Sequence, residues 1–280
     1  MSWKRAAAKD LPALKDFLLR EEWRCVPFTS RFKQEDKKPF SRGQDKHIFI
    51  NKDGHVVIGA LMVTAMGLFI PVLAEREQTL FSNLKKMSSS LYSIMGTLPD
   101  VQTAAAYFPI YPEVTVDYFL MTLSRDDYRA PCLEYTPGLE IREAALKDAK
   151  RFFPLHAAYE IEEVIINPDH FHKKASFTTF KRALQNQLIT VAELKGTAVA
   201  KAGTNAQGFN TAQIGGVYTI KEERNKGIAF LVMSGLLERI FREKEMASLF
   251  VKKNNPAAIS LYRKLGFTLR ESYRICYYNL

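Results

Sequence analysis

Cysteine is scarce in this sequence of 280 residues. The three cysteines, Cys25, Cys132 and Cys276, show no paired spacing. This spacing excludes a disulfide framework and a zinc site built on cysteine pairs, and it indicates a reducing compartment. The first five residues, Met1-Ser-Trp-Lys-Arg, are charged and lack the apolar core of a signal peptide. We therefore expect a cytoplasmic protein that holds no metal.

Long uncharged runs are equally scarce. Residues 56–74 form the one run that is long enough to cross a bilayer. Gly59, Gly67 and Pro71 interrupt this run, and buried strands also produce continuous apolar sequence. We predict that residues 56–74 form buried strands and that the protein does not associate with a membrane.

The charge is uneven along the chain. The net charge is +10; 18 basic and 16 acidic residues precede position 138, whereas 22 basic and 14 acidic residues follow position 137. The basic excess of the second half suits a polyanionic partner such as nucleic acid, anionic lipid or a phosphate-rich cofactor, but it also suits a solvated basic surface. No aromatic strand motif of the RNA-binding type is present, so we expect no nucleic-acid partner.

The second half of the chain has the pattern of a mixed α/β fold. Glycines, prolines and apolar periodicity divide it into strands and helices. We predict strands over 139–143, 188–194, 197–202, 212–220 and 248–252, helices over 144–164, 169–187, 227–244 and 256–265, and a closing hairpin with strands over 268–270 and 273–278. Asp169 is the predicted N-cap of the second of these helices.

The first half repeats this order in a weaker form. Its opening resembles the opening of the second half, and its predicted hairpin over 47–60 turns at Asp53-Gly54. A strand near Leu68, a helix over 80–95 and strands over 101–108 and 114–123 follow. Two copies of one fold are therefore predicted, over 1–130 and 138–280, with a linker over 129–138.

One run carries a chemical signal. A strand ends near Thr219, and Arg224-x-x-Gly227-x-Ala229 then opens a helix. Successive backbone N–H groups at such a helix start can cradle phosphate oxygens, and a glycine lets the ligand approach the backbone closely. By itself this pattern also fits an ordinary helix start.

A second motif makes the first one specific. Asn255-x-x-Ala258-x-x-Leu261-Tyr262, followed by Leu265-Gly266-Phe267, begins 28 residues after Gly227. Together the two motifs resemble those of the GNAT superfamily of N-acetyltransferases over residues 139–280. The first half resembles that fold by element order alone, and it lacks the phosphate-loop motif. The resemblance implies an α/β protein with two tandem GNAT-like mixed-sheet domains, of which the N-terminal one is a degenerate copy that has lost cofactor binding.

The resemblance also implies a role for individual residues. Acetyl-CoA would act as co-substrate, with its pantetheine arm between two splayed strands and its pyrophosphate on the loop. The implied binding residues are Gly216, Val217, Tyr218, Thr219, Arg224, Asn225, Lys226, Gly227, Ile228, Ala229 and Asn255. The N–H near Val217 would polarise the thioester carbonyl. Asn255 would bond the pantetheine arm or cap a helix, and Tyr262 would protonate the departing thiolate or pack as a plain aromatic residue.

The general base is less well defined. Glu160 and Glu163 lie in an acidic run at a helix end and share a helix face at i,i+3 spacing. Either could take the proton of the acceptor amine, and both also fit a solvated acidic surface. His156, His170, His172 or a water relay are alternatives.

The implied activity is transfer of an acetyl group from acetyl-CoA to a primary amine, directly and in a ternary complex. Two alternatives remain, namely a tandem GNAT-like acyltransferase that uses another acyl-CoA and a module that senses acyl-CoA without turnover. The sequence names neither the amine-bearing acceptor nor the oligomeric state.

Overall fold

The computed structural model describes residues 2–33, 46–74, 90–130, 137–165 and 167–278. Within these ranges, one mixed sheet of twelve strands runs through the whole molecule. The strands are β1 (Ser2–Arg5), β2 (Lys46–Asp53), β3 (Val56–Thr64), β4 (Leu68–Leu73), β5 (Ser93–Thr97), β6 (Val114–Ser124), β7 (Leu139–Glu143), β8 (Ile189–Leu194), β9 (Thr197–Gln207), β10 (Thr211–Thr219), β11 (Met246–Lys252) and β12 (Thr268–Tyr277).

Seven α-helices are described alongside this sheet. They are α1 (Leu11–Leu19), α2 (Val26–Lys33), α3 (Leu98–Ala105), α4 (Ala149–Tyr159), α5 (Lys173–Asn186), α6 (Ile228–Ile240) and α7 (Pro256–Lys264). Helix α6 shares one hydrophobic core with β9, β10 and β11, and α4 and α5 share another with β8. None of the described helices is long and apolar enough to cross a membrane.

The order of the strands shows how the two halves are joined. The sheet runs β1-β2-β3-β4-β5-β12-β6-β11-β10-β9-β8-β7. Strand β6 of the first half lies between β11 and β12, and β12 of the second half lies between β5 and β6. The order is therefore symmetric about the β6–β12 pair. The division into units of residues 1–130 and 138–280 stays a prediction, with β6 and β12 as strands that the two units exchange.

Several predictions for the second half need correction. The closing hairpin over 268–278 is a single strand, β12, with a bulge between Leu269 and Glu271. Asp169 does not cap α5. Instead the Asn167 side chain accepts a hydrogen bond from the N–H of Asp169 at 3.1 Å and holds a short 3-10 turn, and α5 begins at Lys173.

The first half differs from the prediction after β4. The strand predicted over 101–108 is wrong, because residues 98–105 form helix α3, with a proline in its first turn and Val101 and Ala104 on its buried face. The helix predicted over 80–95 lies partly outside the described residues, and its last three positions belong to β5. The buried strands predicted over 56–74 are confirmed as β3 and β4.

A buried carboxylate connects the first half of the chain to the residues at the start of β10. Glu22 is 3% exposed and accepts hydrogen bonds from the backbone N–H groups of Phe209, Asn210 and Thr211 at 2.7, 2.7 and 2.9 Å. The first half therefore fixes the turn from which β10 enters the candidate site.

Candidate functional site

Strands β10 and β11 separate halfway along their length. They pair in parallel from Thr211–Met246 to Ile214–Leu249, although β10 continues to Thr219 and β11 to Lys252. On its other side, β10 shifts register against β9 between Gly215 and Tyr218. Gly216 adopts a φ of +64° in this bulge, a conformation that favours glycine. The bulge and the separation leave a V-shaped gap in the sheet.

The gap opens into a cavity of about 960 Å³. Twelve of the fourteen residues that the sequence analysis implied for the site line it. They are Glu163, Gly216, Val217, Tyr218, Thr219, Arg224, Asn225, Gly227, Ile228, Ala229, Asn255 and Tyr262. The other two, Glu160 and Lys226, lie beside the cavity without lining it.

The loop before α6 is shaped to hold an anion. Asn225 and Gly227 have φ values of +62° and +76°, and an added Cβ on Gly227 would meet nothing within 4 Å. Within the part of the chain that the structure describes, the N–H groups of Asn225, Lys226 and Gly227 donate to no backbone oxygen. Donors exposed at a helix start, together with the helix dipole, favour phosphate.

The side chains of this loop are engaged with their neighbours. The Arg224 guanidinium donates to Glu162 at 2.6 Å and to the Thr219 carbonyl oxygen at 3.0 Å. The Tyr218 hydroxyl donates to the same Glu162 carboxylate at 3.0 Å. Burial favours a higher pKa for Glu162, but these two donors outweigh it and hold the pKa below its usual range. Lys226 pairs with Glu223 at 3.0 Å. The donors that this loop leaves open are therefore its backbone N–H groups.

Asn255 and Tyr262 lie at the two ends of α7. The Asn255 side chain accepts from the N–H of Ala258 at 3.0 Å and so caps this helix. Tyr262 is 7% exposed, and its ring packs edge-on against Phe267. Burial raises the pKa of Tyr262, and the nearby Tyr159 and Glu163 add to the shift. The phenol therefore stays protonated at neutral pH.

The acidic run separates its carboxylates because residues 160–164 form a π-helical turn. Glu160 contacts Ser176 and His156, and the hydrogen bond from His156 is the main cause of its lowered pKa. Glu163 instead lines the cavity, where Lys252 donates to its carboxylate at 3.4 Å and to its carbonyl oxygen at 2.8 Å. The face expected from i,i+3 spacing in an α-helix is therefore not formed.

A buried lysine was missed by sequence reasoning. Lys201 of β9 is 5% exposed, and its ammonium nitrogen donates to the Gly216 carbonyl oxygen at 2.9 Å and lies 4.1 Å from the centre of the Tyr159 ring. Burial lowers the pKa of Lys201 to about 7, against the attraction of Glu160. The Lys201 side chain therefore contacts the bulge of β10 from the neighbouring strand β9. Residues 199–204 of β9 are all buried, so no alternation along this strand distinguishes Lys201 or indicates its partner.

The first half closes the equivalent gap between β4 and β5 with a buried ion pair. Asp100 accepts from the Leu73 N–H at 3.1 Å and from the Thr97 hydroxyl at 2.7 Å. Arg24 donates to the Leu73 carbonyl oxygen at 2.9 Å and lies 3.5 Å from the Asp100 carboxylate. These side chains occupy both the N–H and the carbonyl oxygen of Leu73, the last residue of β4.

The comparisons with known proteins agree with this geometry. Residues 155–267 match the profile of the acetyltransferase (GNAT) family. This segment is a GNAT acetyltransferase domain. The domain contains both separated strands, the phosphate loop and Tyr262. No curated protein is significantly similar to the chain in sequence.

Solved structures share the fold of the whole chain. A Drosophila protein is similar with a TM-score of 0.71 at 12% identity, covering 99% of this chain and 98% of its own. A tandem GNAT protein from the clavulanic acid biosynthesis pathway gives 0.57 at 12% identity over 98% and 97%. A GNAT-family acetyltransferase from Colwellia psychrerythraea gives 0.56 at 14% identity over 100% of both chains. Identities this low show the fold alone, and they confirm the predicted tandem GNAT architecture.

Proposed function

We propose that this chain transfers an acetyl group from acetyl-CoA directly to a primary amine within a ternary complex. The observation that carries this proposal is the continuity of one cavity from the phosphate loop, through the gap between β10 and β11, to Tyr262 and Glu163. Each group that acetyl transfer requires lies on the wall of that cavity.

Acetyl-CoA would supply the thioester, and the chain's own backbone would hold it. The open N–H groups from Asn225 to Ala229 suit the pyrophosphate, and the space beside Gly227 admits it. Among the described residues, the edge of β10 beyond the bulge at Gly216 pairs with no strand on the β11 side, so its peptide groups can bond a pantetheine arm. The N–H of Val217 would polarise the carbonyl that the amine attacks.

Two side chains can move the protons. Glu163 would accept the proton that the ammonium group loses before attack, with Lys252 keeping its carboxylate in place. The nitrogen–carbon bond then forms as the carbon–sulfur bond breaks, and the Tyr262 hydroxyl gives its proton to the sulfur. The second proton that the new amide nitrogen must lose passes through solvent to the Tyr262 oxygen and restores the phenol. Glu163 and Tyr262 therefore have opposite roles.

Direct transfer is favoured over a covalent acyl-enzyme because the lining offers no thiol. The described cysteines, Cys25 and Cys276, are both buried outside the residues that line the cavity. Burial raises the pKa of the Cys25 thiol, which makes it a poor nucleophile.

The test is a calorimetric titration with acetyl-CoA, beside a CoA-release assay with a panel of amines. The wild-type chain should bind one acetyl-CoA. Gly227→Glu places an anion and a side chain against the pyrophosphate and should abolish binding. Gly54→Glu is the matched control, because Gly54 also has a positive φ and open space around it but lies in the turn between β2 and β3. Full affinity in Gly227→Glu, or two acetyl-CoA molecules per chain, would refute the proposal.

A further inference from the structure

A buried lysine contacts the peptide unit whose N–H would polarise the thioester. Gly216 and Val217 form the bulge of β10, and neither has a register partner on β9 or β11 among the described residues. The Lys201 ammonium donates to the Gly216 carbonyl oxygen at 2.9 Å. This oxygen and the Val217 N–H belong to one planar peptide unit, in which the two groups point in opposite directions. The Val217 N–H therefore points away from the ammonium.

The two ends of this peptide face different surroundings. Val217 lines the cavity, whereas Lys201 lies outside the lining and is 5% exposed. Strand β9, which carries Lys201, pairs with β10 on the side opposite the gap. A ligand in the gap would therefore meet the N–H end of the peptide, with the ammonium behind it.

Gly216 leaves the space that the ammonium occupies. An added Cβ at this position would lie 2.9 Å from the Lys201 Nζ, so alanine here would displace the ammonium from the carbonyl oxygen. The Tyr159 ring covers the ammonium on another side, with its centre 4.1 Å from Nζ. A cation is attracted to the face of an aromatic ring, so this contact favours the charged form of the lysine.

One carboxylate acts on this ammonium. Burial lowers the pKa of Lys201 to about 7, and the charge of Glu160 in the π-helical turn opposes that shift. The Glu160 carboxylate is shared with His156 of α4, whose Nε2 lies 3.3 Å from it. The register partners of Lys201 are Val191 of β8 and Tyr218 of β10, and the Tyr218 hydroxyl is bonded to a different carboxylate.

Two further helices pack against β9. Helix α6 faces it with apolar residues. Helix α2 lies beside the turn that follows β9, where Phe32 packs edge-on against Phe209, and its Arg31 interacts electrostatically with Tyr273. Among the described residues, the charge that acts on Lys201 is therefore that of Glu160.

We propose that Lys201 is a positioning residue for acetyl transfer, which holds and polarises the Gly216–Val217 peptide from behind. This inference rests on the proposed function, and it adds the residue that sets the strength of the oxyanion donor. A cation at the carbonyl oxygen draws electron density through the peptide and makes its N–H a stronger donor. The gain is largest in the transition state, when negative charge develops on the thioester oxygen. Loss of the lysine should therefore lower kcat more than acetyl-CoA affinity.

The first experiment measures the polarisation without turnover. The thioester carbonyl carbon of bound acetyl-CoA, labelled with carbon-13, is observed by NMR. In the wild-type chain its resonance should lie downfield of free acetyl-CoA, because a hydrogen bond to the carbonyl oxygen withdraws electron density from the carbon. Lys201→Met should move the resonance back toward the free position. Lys173→Met, at the exposed start of α5, should leave it unchanged.

The wild-type chain provides a second measurement that needs no variant. Lysine is charged below its pKa, so the polarisation should be largest below pH 7 and should decline as the pH rises through about 7. The bound carbonyl resonance should accordingly move upfield between pH 6 and pH 8.5. In Lys201→Met this movement should be absent.

Kinetics test the same role during turnover, with the amine of the panel that releases CoA fastest. At pH 6, kcat of Lys201→Met should be about 10-fold below wild type, since loss of a whole oxyanion donor costs about 10²–10³ and a weakened donor costs less. At pH 8.5 the wild-type lysine is mostly neutral, so the ratio should fall below about 3. The acceptor amine and Glu163 titrate in both proteins and cancel in the ratio. Acetyl-CoA affinity, equal within about twofold, serves as the folding check.

The outcomes separate the two proposals. An identical carbonyl resonance in wild type and Lys201→Met, or a kcat ratio that stays constant from pH 6 to pH 8.5, would overturn the role of Lys201 and leave acetyl transfer standing. CoA release with no amine of the panel would overturn transfer to an amine, while the resonance would still show whether Lys201 polarises the thioester. A chain that does not bind acetyl-CoA would overturn both proposals.

Discussion

Replacement of the buried lysine by methionine should change how stability depends on pH. Lys201 has a pKa of about 7 in the folded protein, against 10.5 for an unperturbed lysine. Between these two values the unfolded chain binds one proton that the folded chain does not. The free energy of unfolding of the wild-type protein therefore rises with pH in this window, and Lys201→Met removes that rise.

The size of the effect follows from linkage. One proton of difference changes the free energy of unfolding by about 1.4 kcal/mol per pH unit. From pH 7.5 to pH 9.5, the wild-type protein should gain roughly 2.5 kcal/mol relative to Lys201→Met. Other titrating groups are present in both proteins, and their contributions cancel in the difference.

The measurement is urea unfolding at constant ionic strength, with both proteins at pH 6, 7.5, 8.5 and 9.5. Lys173→Met, at the exposed start of α5, should run parallel to the wild-type protein across this range. A difference between wild type and Lys201→Met that stays constant from pH 7.5 to pH 9.5 would show that Lys201 is charged in the fold. The lowered pKa of Lys201 in the folded protein would then be wrong.

Two further predictions concern the ends of the site and its counterpart. Tyr262→Phe keeps the packing against Phe267 and removes the proton donor, so acetyl-CoA affinity should persist while kcat falls about 10- to 1,000-fold. An unchanged kcat in the CoA-release assay would make Tyr262 structural. Asp100→Ala removes a buried carboxylate from Arg24, which keeps its ion pair with Glu21, and should lower the free energy of unfolding by about 3 kcal/mol. Urea unfolding tests this, and a loss under about 1 kcal/mol would contradict it.

The phosphate loop could be predicted because its chemistry is local. Arg224, Gly227 and Ala229 lie close together in the sequence. The loop requires a positive φ at Gly227, and glycine adopts this conformation readily. The helix cap at Asn255 could also be predicted from the sequence, since a helix start needs a hydrogen-bond acceptor at that one position. Sequence reasoning therefore identified this loop and this helix start in detail.

The other walls of the cavity could not be predicted in the same way. Lys201 acts on Gly216 across two strands, and Arg31 reaches the cavity from another part of the chain altogether. The turn at residues 160–164 also defeated the helical spacing argument, because one extra residue per turn rotates Glu160 away from Glu163. Residues that tertiary packing brings together have no fixed spacing in the sequence, so a motif cannot reveal them.

Similarly, the sequence predicts two short strands, over 268–270 and 273–278, in the closing segment. A bulge accommodates them within one strand, and pairing on both sides of β12 overrides the local preference. The strand predicted over 101–108 is wrong for a different reason, because local sequence signals there favour a helix. Its apolar residues also fit a short helix, and the proline at position 99 supplied the helix start.

The exchange of β6 and β12 has a consequence for synthesis of the chain on the ribosome. Strand β5 leaves the ribosome with one edge that only β12, some 170 residues later, can cover. Contacts this distant in sequence form slowly, and an unpaired strand edge is open to association with other chains. The ten residues of β12 are therefore the ones that close the centre of the sheet. A nascent chain halted before β12 would already contain residues 224–229, and the edge of β5 would still be unpaired.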